Sequence, residues 1–238
     1  MAKPEYEAFQ NLRLPVHRSN RGLQDNQAYL TSIRQQIAHI SDYLGADVSV
    51  LDFGCGQGRL LNGLVHSGTD FGSYLGVDLN PASIAWCCRN LSYAGLNTAF
   101  LWYNYHNQRY NAAGDRKTFL PLPKGCFDLA FASSVFTHLD DTDLGHVAME
   151  LFCKIRPGGH LYLTAFLEEA VDPVTINPEG YLGSKGAVDT PLHWVRYEKT
   201  YFLNRFAQAG FVKVPGEDGA GNLIERSGQR WVVFQKPH

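Results

Sequence analysis

Residues 50–58, with the sequence Val-Leu-Asp-Phe-Gly-Cys-Gly-Gln-Gly, constrain the fold more than any other part of the chain. The apolar start predicts a β-strand, after which Gly54, Gly56 and Gly58 occupy every second position. Glycine lets the backbone turn tightly and lets a ligand approach with no Cβ atom in the way. Leucines at helical spacing follow in residues 60–64. A strand, a glycine turn and a helix predict a pocket of the nucleotide-binding type.

The spacing of this loop argues against two common nucleotide pockets. The dinucleotide fingerprint requires its third glycine three residues after the second, and Arg59 occupies that position. A phosphate-binding P-loop ends in Gly-Lys-Ser or Gly-Lys-Thr, whereas Arg-Leu follows Gly58. We therefore expect neither a nicotinamide dinucleotide nor a nucleoside triphosphate to bind here.

A second predicted strand ends in an acid about twenty residues after the loop. This segment, Ser-Tyr-Leu-Gly-Val-Asp, ends at Asp78. A carboxylate in that place can accept hydrogen bonds from both hydroxyls of a ribose. We expect Asp78 to bind a ribose, with Leu79 packed either on an adenine face or in the core.

Four segments in the same order resemble the class I S-adenosylmethionine-dependent methyltransferases. They begin with the glycine loop and the Gly-Val-Asp-Leu-Asn of residues 76–80, and they continue with residues 127–134 and 155–164. The resemblance implies S-adenosyl-L-methionine as cofactor. It also implies an α/β fold, a Rossmann-like three-layer sandwich whose seven-stranded, mostly parallel sheet ends in a C-terminal antiparallel hairpin. It implies little about the methyl acceptor.

Hydrophobic periodicity predicts helices that alternate with strands, as a parallel sheet with crossover helices requires. The predicted helices are residues 25–44, 59–66, 81–93, 144–155 and 199–209. The predicted strands are residues 48–53, 73–77, 98–103, 129–132, 161–164, 211–214 and 231–235.

No linker or composition shift divides the 238 residues, so we expect one methyltransferase domain over 1–238. Within it we expect an N-terminal arm or lid (1–24), a cofactor-binding core (25–166), an acceptor-cap insertion (167–198), and a C-terminal helix and hairpin (199–238).

The family resemblance, with the rule that such sheets bind ligands at the carboxyl ends of their strands, assigns the cofactor residues. Asp52 either orients the loop, reaches the cofactor amino group, or is a turn carboxylate that binds loop amides. Asn104 stands where the family often has an aspartate for the adenine amino group, and its amide oxygen could replace that acceptor. The predicted cofactor-binding residues are Asp52, Gly54, Cys55, Gly56, Gly58, Asp78, Leu79, Asn104, Ser133 and Ser134.

His138 is the predicted catalytic residue, because a histidine at this offset in the resembling family often faces the sulfonium. With an imidazole pKa near neutrality it could take the proton of an acceptor hydroxyl. The alternative is a helix-start histidine bonded to the backbone. His106, His193 and Tyr197 are lesser candidates.

A metal site is not expected in this chain. Asp140 and Asp141 are adjacent acids of the kind found at a helix N-terminus. The five cysteines have neither metal-ligand spacing nor a pairing pattern. Cys55 lies in the glycine loop, where we expect small size to be the requirement, and we expect the other four to fill core space.

Composition narrows the class of acceptor. The net charge is −2 and the 21 basic residues are dispersed, which argues against a nucleic-acid acceptor. The sequence lacks a long apolar run and the apolar core of a signal peptide, so we expect a cytoplasmic protein without a membrane partner. Its oligomeric state cannot be inferred.

The expected activity is therefore methylation of a small molecule. The resemblance to relatives that carry the Ser-Val-Phe-Thr-His-Leu segment of residues 134–139 favours a hydroxyl on a sugar-like or natural-product compound over a nitrogen. A binding module that holds S-adenosylmethionine without chemistry is the alternative from another class.

Overall fold

The computed structural model describes residues 13–15, 26–181, 189–220 and 228–238. The predicted helix start at Asp25, most of the predicted arm, and residues 182–188 of the predicted cap lie outside these ranges. Within them, no helix has the length and apolar character needed to cross a membrane.

Helices and strands alternate through the chain as the periodicity predicts. The helices are α1 (Asn26–Ile40), α2 (Arg59–Ser67), α3 (Pro81–Asn90), α4 (Asp141–Lys154) and α5 (Lys199–Gln208), with short 3-10 helices at Ser41–Tyr43 and Phe136–His138. The strands are β1 (Gly45–Phe53), β2 (Phe71–Asp78), β3 (Thr98–Trp102), β4 (Phe127–Ala132), β5 (Ile155–Glu168), β6 (Val174–Ile176), β7 (Val195–Glu198), β8 (Val212–Ala220) and β9 (Arg230–Gln235).

Nine strands form one mixed sheet across the described residues, in the order β3-β2-β1-β4-β5-β7-β6, while β9 pairs with β5 and β8 with β9. The pairs that β1 to β5 form with one another are all parallel, and β8 and β9 make the C-terminal antiparallel pair. The Rossmann-like fold and the antiparallel pair are confirmed.

Two strands, β6 and β7, were not predicted. Strand β5 is long enough to pair twice: residues 160–165 pair with β9, and residues 166–168 pair with β7. With 3 and 4 residues, β6 and β7 are too short for a periodic pattern to show. They extend the sheet over the segment predicted as an acceptor cap.

Apolar clusters cover the two faces of the sheet. The stripe of α1, which includes Leu30, Ile33, Ile37 and Ile40, is buried with the leucines of α2. The other cluster packs α4 and α5 against β4, β5 and the C-terminal pair. These helices hold the strands so that the carboxyl ends of β1, β2 and β4 share one edge.

The strand order reverses between β1 and β4. The chain adds β2 and β3 on one side of β1, and it then crosses to add β4 and β5 on the other side. A crevice opens at such a reversal, and ligands of open α/β sheets bind there. The fold thus brings the glycine loop, Asp78 and Ser133 to one edge.

Candidate active site

The glycine loop is fixed to the neighbouring strand β2 by backbone hydrogen bonds. Gly54 N and Cys55 N both donate to Val77 O, at 2.7 and 2.9 Å. Gly54 has φ +82°, and a Cβ atom there would overlap Val135 Cγ2. A side chain at this position would therefore strain the backbone and displace the segment that follows β4.

Asp78 connects the end of β2 to the glycine loop. Its Oδ2 accepts from Gly56 N at 2.7 Å and its Oδ1 accepts from Asn80 N at 2.8 Å. Burial raises the pKa of Asp78, and the bonds from backbone amides of Asn80, Gly56 and Leu79 oppose that rise. Each carboxylate oxygen can accept more than one hydrogen bond. Asp78 therefore holds the loop and can also accept from a ligand.

Asp52 lies beneath the loop and is 3% exposed. Its Oδ2 accepts from the Tyr74 hydroxyl at 2.6 Å. Burial raises the pKa of Asp52 to about 7, while the Tyr74 bond and the charge of Arg59 act in the opposite direction. It is not among the residues that line the cavity described below.

Arg59 reaches from the first turn of α2 toward the end of β4. Its Nη1 donates to Ser32 Oγ at 3.2 Å and its Nη2 to Ser133 Oγ at 3.5 Å. It lines the cavity and places a cation beside the loop. In the sequence, Arg59 argued only against a dinucleotide pocket and a P-loop, and no contact with the cofactor was predicted for it.

Ser133 and Ser134 lie where β4 ends, as predicted. Ser133 Oγ accepts from Gln36 Nε2 at 2.6 Å. Ser134 has φ +58°, an uncommon conformation for a residue with a side chain, and its N donates to Thr164 Oγ1 at 2.7 Å. This bond holds the turn that leads from β4 to His138.

One cavity of about 930 Å³ runs along this edge of the sheet. Its size suits a cofactor together with a small acceptor. Of the predicted site residues it is lined by Gly54, Cys55, Gly56, Asp78, Leu79, Ser133, Ser134 and His138.

Three predicted cofactor residues are not brought to the cavity wall. Asp52 lies beneath the loop, and Gly58 packs against Leu91, whose Cδ1 a Cβ atom would overlap. Asn104 is exposed, and its Oδ1 accepts from Asn111 Nδ2 at 3.0 Å.

His138 lines the cavity beside Tyr110. Its Nδ1 is 2.9 Å from Leu192 O. Since a carbonyl oxygen only accepts, Nδ1 carries the proton and Nε2 keeps its lone pair. Burial, with smaller contributions from the charges of Arg109 and His193, lowers the pKa of His138 to about 4. The expected pKa near neutrality was therefore wrong.

The other proposed bases differ in position. His193 lines the cavity. His106 does not, and its Nδ1 is 3.0 Å from Ala112 O. Tyr197 is fully buried, and its hydroxyl contacts the carbonyl oxygens of Phe136 and Leu139. Tyr197 thus supports the turn that carries His138.

Asn107 shapes the acceptor end of the cavity. It is 1% exposed, and its Oδ1 accepts from Arg109 N and Tyr110 N, both at 3.1 Å. Its Nδ2 donates to His138 O at 3.0 Å. One side chain therefore joins the loop that carries Arg109 to the turn that carries His138. Neither Asn107 nor Arg109 belongs to a motif in the sequence, and neither was among the predicted site residues.

No cluster of three or more His, Cys, Asp or Glu side chains suited to a metal ion occurs among the described residues. Asp140 is the N-cap of α4 and accepts from Asp143 N, which confirms the interpretation of the adjacent acids. Cys55 and Cys87 are buried, whereas Cys88 is exposed and Cys126 and Cys153 are half-buried. The expectation that the cysteines outside the glycine loop fill core space is therefore correct for Cys87 and wrong for Cys88.

Comparison with known proteins is consistent with this geometry. Residues 24–226 match a family described as a methyltransferase domain. A chain from the complex between the Haloferax volcanii Trm112 methyltransferase activator and a methyltransferase is 15% identical to this chain. Its TM-score is 0.63 over 89% of this chain and 93% of that one. A Methanosarcina mazei S-adenosylmethionine-dependent methyltransferase is 18% identical, with a TM-score of 0.59 over 83% and 96% of the two chains.

A third structure holds a demethylated cofactor. The Burkholderia thailandensis 1,6-didemethyltoxoflavin-N1-methyltransferase, with its substrate and S-adenosylhomocysteine bound, is 17% identical. Its TM-score is 0.59 over 90% of this chain and 82% of that one.

Proposed function

We propose that this chain, which belongs to the class I S-adenosylmethionine-dependent methyltransferases, methylates a hydroxyl of a sugar-like or natural-product-like small molecule. The observation that carries the proposal is the continuity of one cavity, about 930 Å³ in volume, lined by both the glycine loop and His138. A donor held at the loop and an acceptor held at His138 would share that space. S-adenosylmethionine supplies an electrophilic methyl group on a sulfonium.

The residues at the glycine loop fit this cofactor. A Cβ atom placed on Gly56 would meet nothing within 4 Å, so the loop faces open space at that point. We assign the methionine end to the loop backbone and Arg59, the ribose to Asp78, and the adenine face to Leu79. Arg59 provides the cation that a carboxylate on the cofactor requires.

Alignment and exclusion of water supply most of the catalysis in this proposal. Methyl transfer is an in-line displacement, which is accelerated when the two reacting atoms are held at the correct distance and angle. We assign to His138 Nε2 the role of accepting the proton of the acceptor hydroxyl. The proton leaves the oxygen as the carbon–oxygen bond forms. Because the pKa of His138 is about 4, the imidazole is neutral and able to accept at physiological pH.

The domain organisation remains part of this proposal. We assign the acceptor cap to residues 167–198, since Thr190, His193 and Trp194 line the cavity. Pro15, from the proposed arm 1–24, also lines it. The core 25–166 and the C-terminal part 199–238 complete the single domain, for which we propose a cytoplasmic location and no nucleic-acid partner.

Calorimetry with S-adenosylmethionine, S-adenosylhomocysteine and NADH tests the cofactor site. Binding of the first two and not of NADH is expected. Transfer of a labelled methyl group to one compound from a pool of hydroxylated small molecules then tests the reaction. Tight NADH binding alone would overturn the assignment, and cofactor binding without transfer to any acceptor would support a binding module.

A nitrogen acceptor is the second candidate, and the lowered pKa of His138 favours it. A base with a pKa of about 4 assists removal of a hydroxyl proton only weakly, whereas an amine lone pair attacks without prior deprotonation. Two aromatic acceptors that differ only in a hydroxyl and an amino group separate the candidates. Faster labelling of the amino compound would replace the hydroxyl assignment.

A further inference from the structure

Arg109 is a cation at the part of the cavity lined by Arg109, Tyr110, His138 and His193, here called the acceptor end, and it has no anionic partner among the described residues. Two of its guanidinium nitrogens, Nε and Nη1, are buried and have no hydrogen-bond partner among the described residues. No carboxylate of these residues lies within salt-bridge distance of Arg109. Buried donors without acceptors are costly, and a buried charge is normally paired.

The surroundings of Arg109 do not supply the missing charge. Among the described lining residues Asp78 is the one acid, and both of its oxygens accept from backbone amides at the cofactor end. His193, which also lines the cavity, has a buried Nδ1 without a partner among the described residues. Within the described part of the chain, two donors of Arg109 and one ring nitrogen of His193 at this end therefore have no hydrogen-bond partner.

The same end of the cavity is aromatic. The guanidinium carbon of Arg109 lies 5.2 Å from the centre of the Tyr110 ring. The Tyr110 ring meets the His138 ring edge to face at 5.3 Å, and the His193 and Trp194 rings are 4.3 Å apart. These rings provide flat apolar surfaces beside the cation.

We propose that the methyl acceptor is a flat small molecule bearing an oxyanion, a carboxylate or a phosphate, which Arg109 binds while His138 faces the atom that is methylated. The inference rests on the proposed function. It adds a charge requirement to the acceptor, which neither the fold nor the family determines.

Arg59 makes a role for Arg109 in cofactor binding unnecessary. The carboxylate of the cofactor belongs to the methionine end, where Arg59 lines the cavity beside Ser133. Arg109 follows Asn107 on a different segment and lies beside His138 and His193. Burial lowers the pKa of both histidines, and the charge of Arg109 adds a smaller lowering. An anion bound by Arg109 would offset that effect and make His138 a stronger base when the acceptor is present.

The test compares three probes on the protein saturated with S-adenosylhomocysteine: benzoate, phenyl phosphate and benzamide. Benzamide has the shape of benzoate without its charge. We expect at least one oxyanion to bind about tenfold more tightly than benzamide, as a hydrogen-bonded ion pair predicts. The oxyanion that binds more tightly, benzoate or phenyl phosphate, indicates whether the acceptor carries a carboxylate or a phosphate.

Variants of Arg109 identify the group responsible. Arg109→Gln should reduce the preference to within about twofold, and Arg109→Lys should keep most of it. Arg116→Gln is the matched control, since Arg116 lies on the same loop but pairs with Asp140 at 3.3 Å and is 44% exposed. It should keep the full preference, and all three variants should bind S-adenosylhomocysteine as the wild type does.

Three results would overturn the proposal. These are equal binding of benzamide and the oxyanions, failure of all three probes to bind the cofactor-loaded protein, and a preference that survives in Arg109→Gln. Loss of S-adenosylhomocysteine affinity in Arg109→Gln would instead assign the residue to the cofactor. Failure of the wild type to bind S-adenosylhomocysteine would contradict the proposed function, not the role of Arg109 in particular.

Discussion

The two ends of the cavity differ in how their polar groups are satisfied. At the cofactor end, the Asp78 oxygens accept from Gly56 N and Asn80 N, and Asp52 accepts from Tyr74. At the acceptor end, nitrogens of Arg109 and His193 are buried without partners among the described residues. The first end is organised by the chain itself, whereas the second has hydrogen-bonding capacity that a ligand can use.

The ends also differ in how the sequence builds them. The cofactor end comes from consecutive strand ends and their turns, so its geometry follows from local backbone preference. The acceptor end combines Arg109, His138 and His193 from three separate segments that meet only in the folded chain. Variants at the two ends should therefore separate cofactor affinity from turnover.

The largest separation is expected at His138. His138→Ala should lower turnover by about 10²-fold, the lower end of the usual contribution of a general base because a pKa of about 4 makes the imidazole a weak base. The dissociation constant of S-adenosylmethionine should stay within about twofold. Single-turnover kinetics and calorimetry measure the two effects. Because the pKa of His138 is about 4, the wild-type rate should not change between pH 6 and 8 through this group.

His138→Asn distinguishes a base from a positioning residue. The asparagine amide can replace the Nδ1 donor to Leu192 O but has no basic nitrogen. Turnover as low as that of His138→Ala would support the base. Recovery of turnover in His138→Asn would show that the bond to Leu192 is what matters, and the base would then be sought at His193.

The same histidine predicts a dependence of stability on pH. The folded-state pKa of His138, about 4, lies below its usual value of 6.5, so protonation favours the unfolded chain. The free energy of unfolding is therefore unaffected by this group above pH 6.5. It falls by up to about 3 kcal/mol as the pH falls from 6.5 to 4. Urea unfolding at several pH values across this range measures the effect. The free energy of unfolding should fall more steeply with falling pH in the wild type than in His138→Asn. Parallel curves would contradict the lowered pKa.

The cofactor end was the more predictable of the two. Residues 50–58 and Asp78 form a strand, a turn and a strand end, and each follows from local composition. The bond from Gly56 N to Asp78 could not be read locally, because it joins two strands that are adjacent only in the sheet. Asn104 was assigned by its offset from β3, but the conformation of the following loop turns it to the surface.

The acceptor end was predictable only as a region. Residues 167–198 were expected to form an acceptor cap, whereas Arg109 and Asn107 lie outside that segment and belong to no motif. Arg109 stands out because two of its guanidinium nitrogens are buried without a partner among the described residues. Their burial depends on packing by residues far away in the sequence. Strands β6 and β7 were missed for a related reason, since their pairing with the end of β5 decides their conformation.

Asp78 tests whether the cofactor end has a double role. Asp78→Ala removes the proposed ribose acceptor and the bond to Gly56 N, so the affinity for S-adenosylmethionine should fall about tenfold or more. Asp78→Asn keeps an oxygen that can accept from Gly56 N and should lose less. Asp47→Ala, an exposed acid near the other end of β1, should have no effect. Equal affinity in Asp78→Ala and the wild type would place the ribose elsewhere.

The smallest effect is expected at Asn107, which carries neither charge nor proposed chemistry. Asn107→Ala removes the acceptor for Arg109 N and Tyr110 N and the donor to His138 O, but the backbone bonds between Asn107 and Asn111 remain. The loop should therefore keep its path while Arg109 and His138 lose their common support. We expect the preference for benzoate over benzamide to fall about threefold, less than one neutral hydrogen bond can contribute, with S-adenosylhomocysteine affinity unchanged. Calorimetry on the cofactor-loaded variant measures both. A fall in cofactor affinity as large as the fall in preference would mean that the two ends are coupled through this loop, and the distinction between them would not hold.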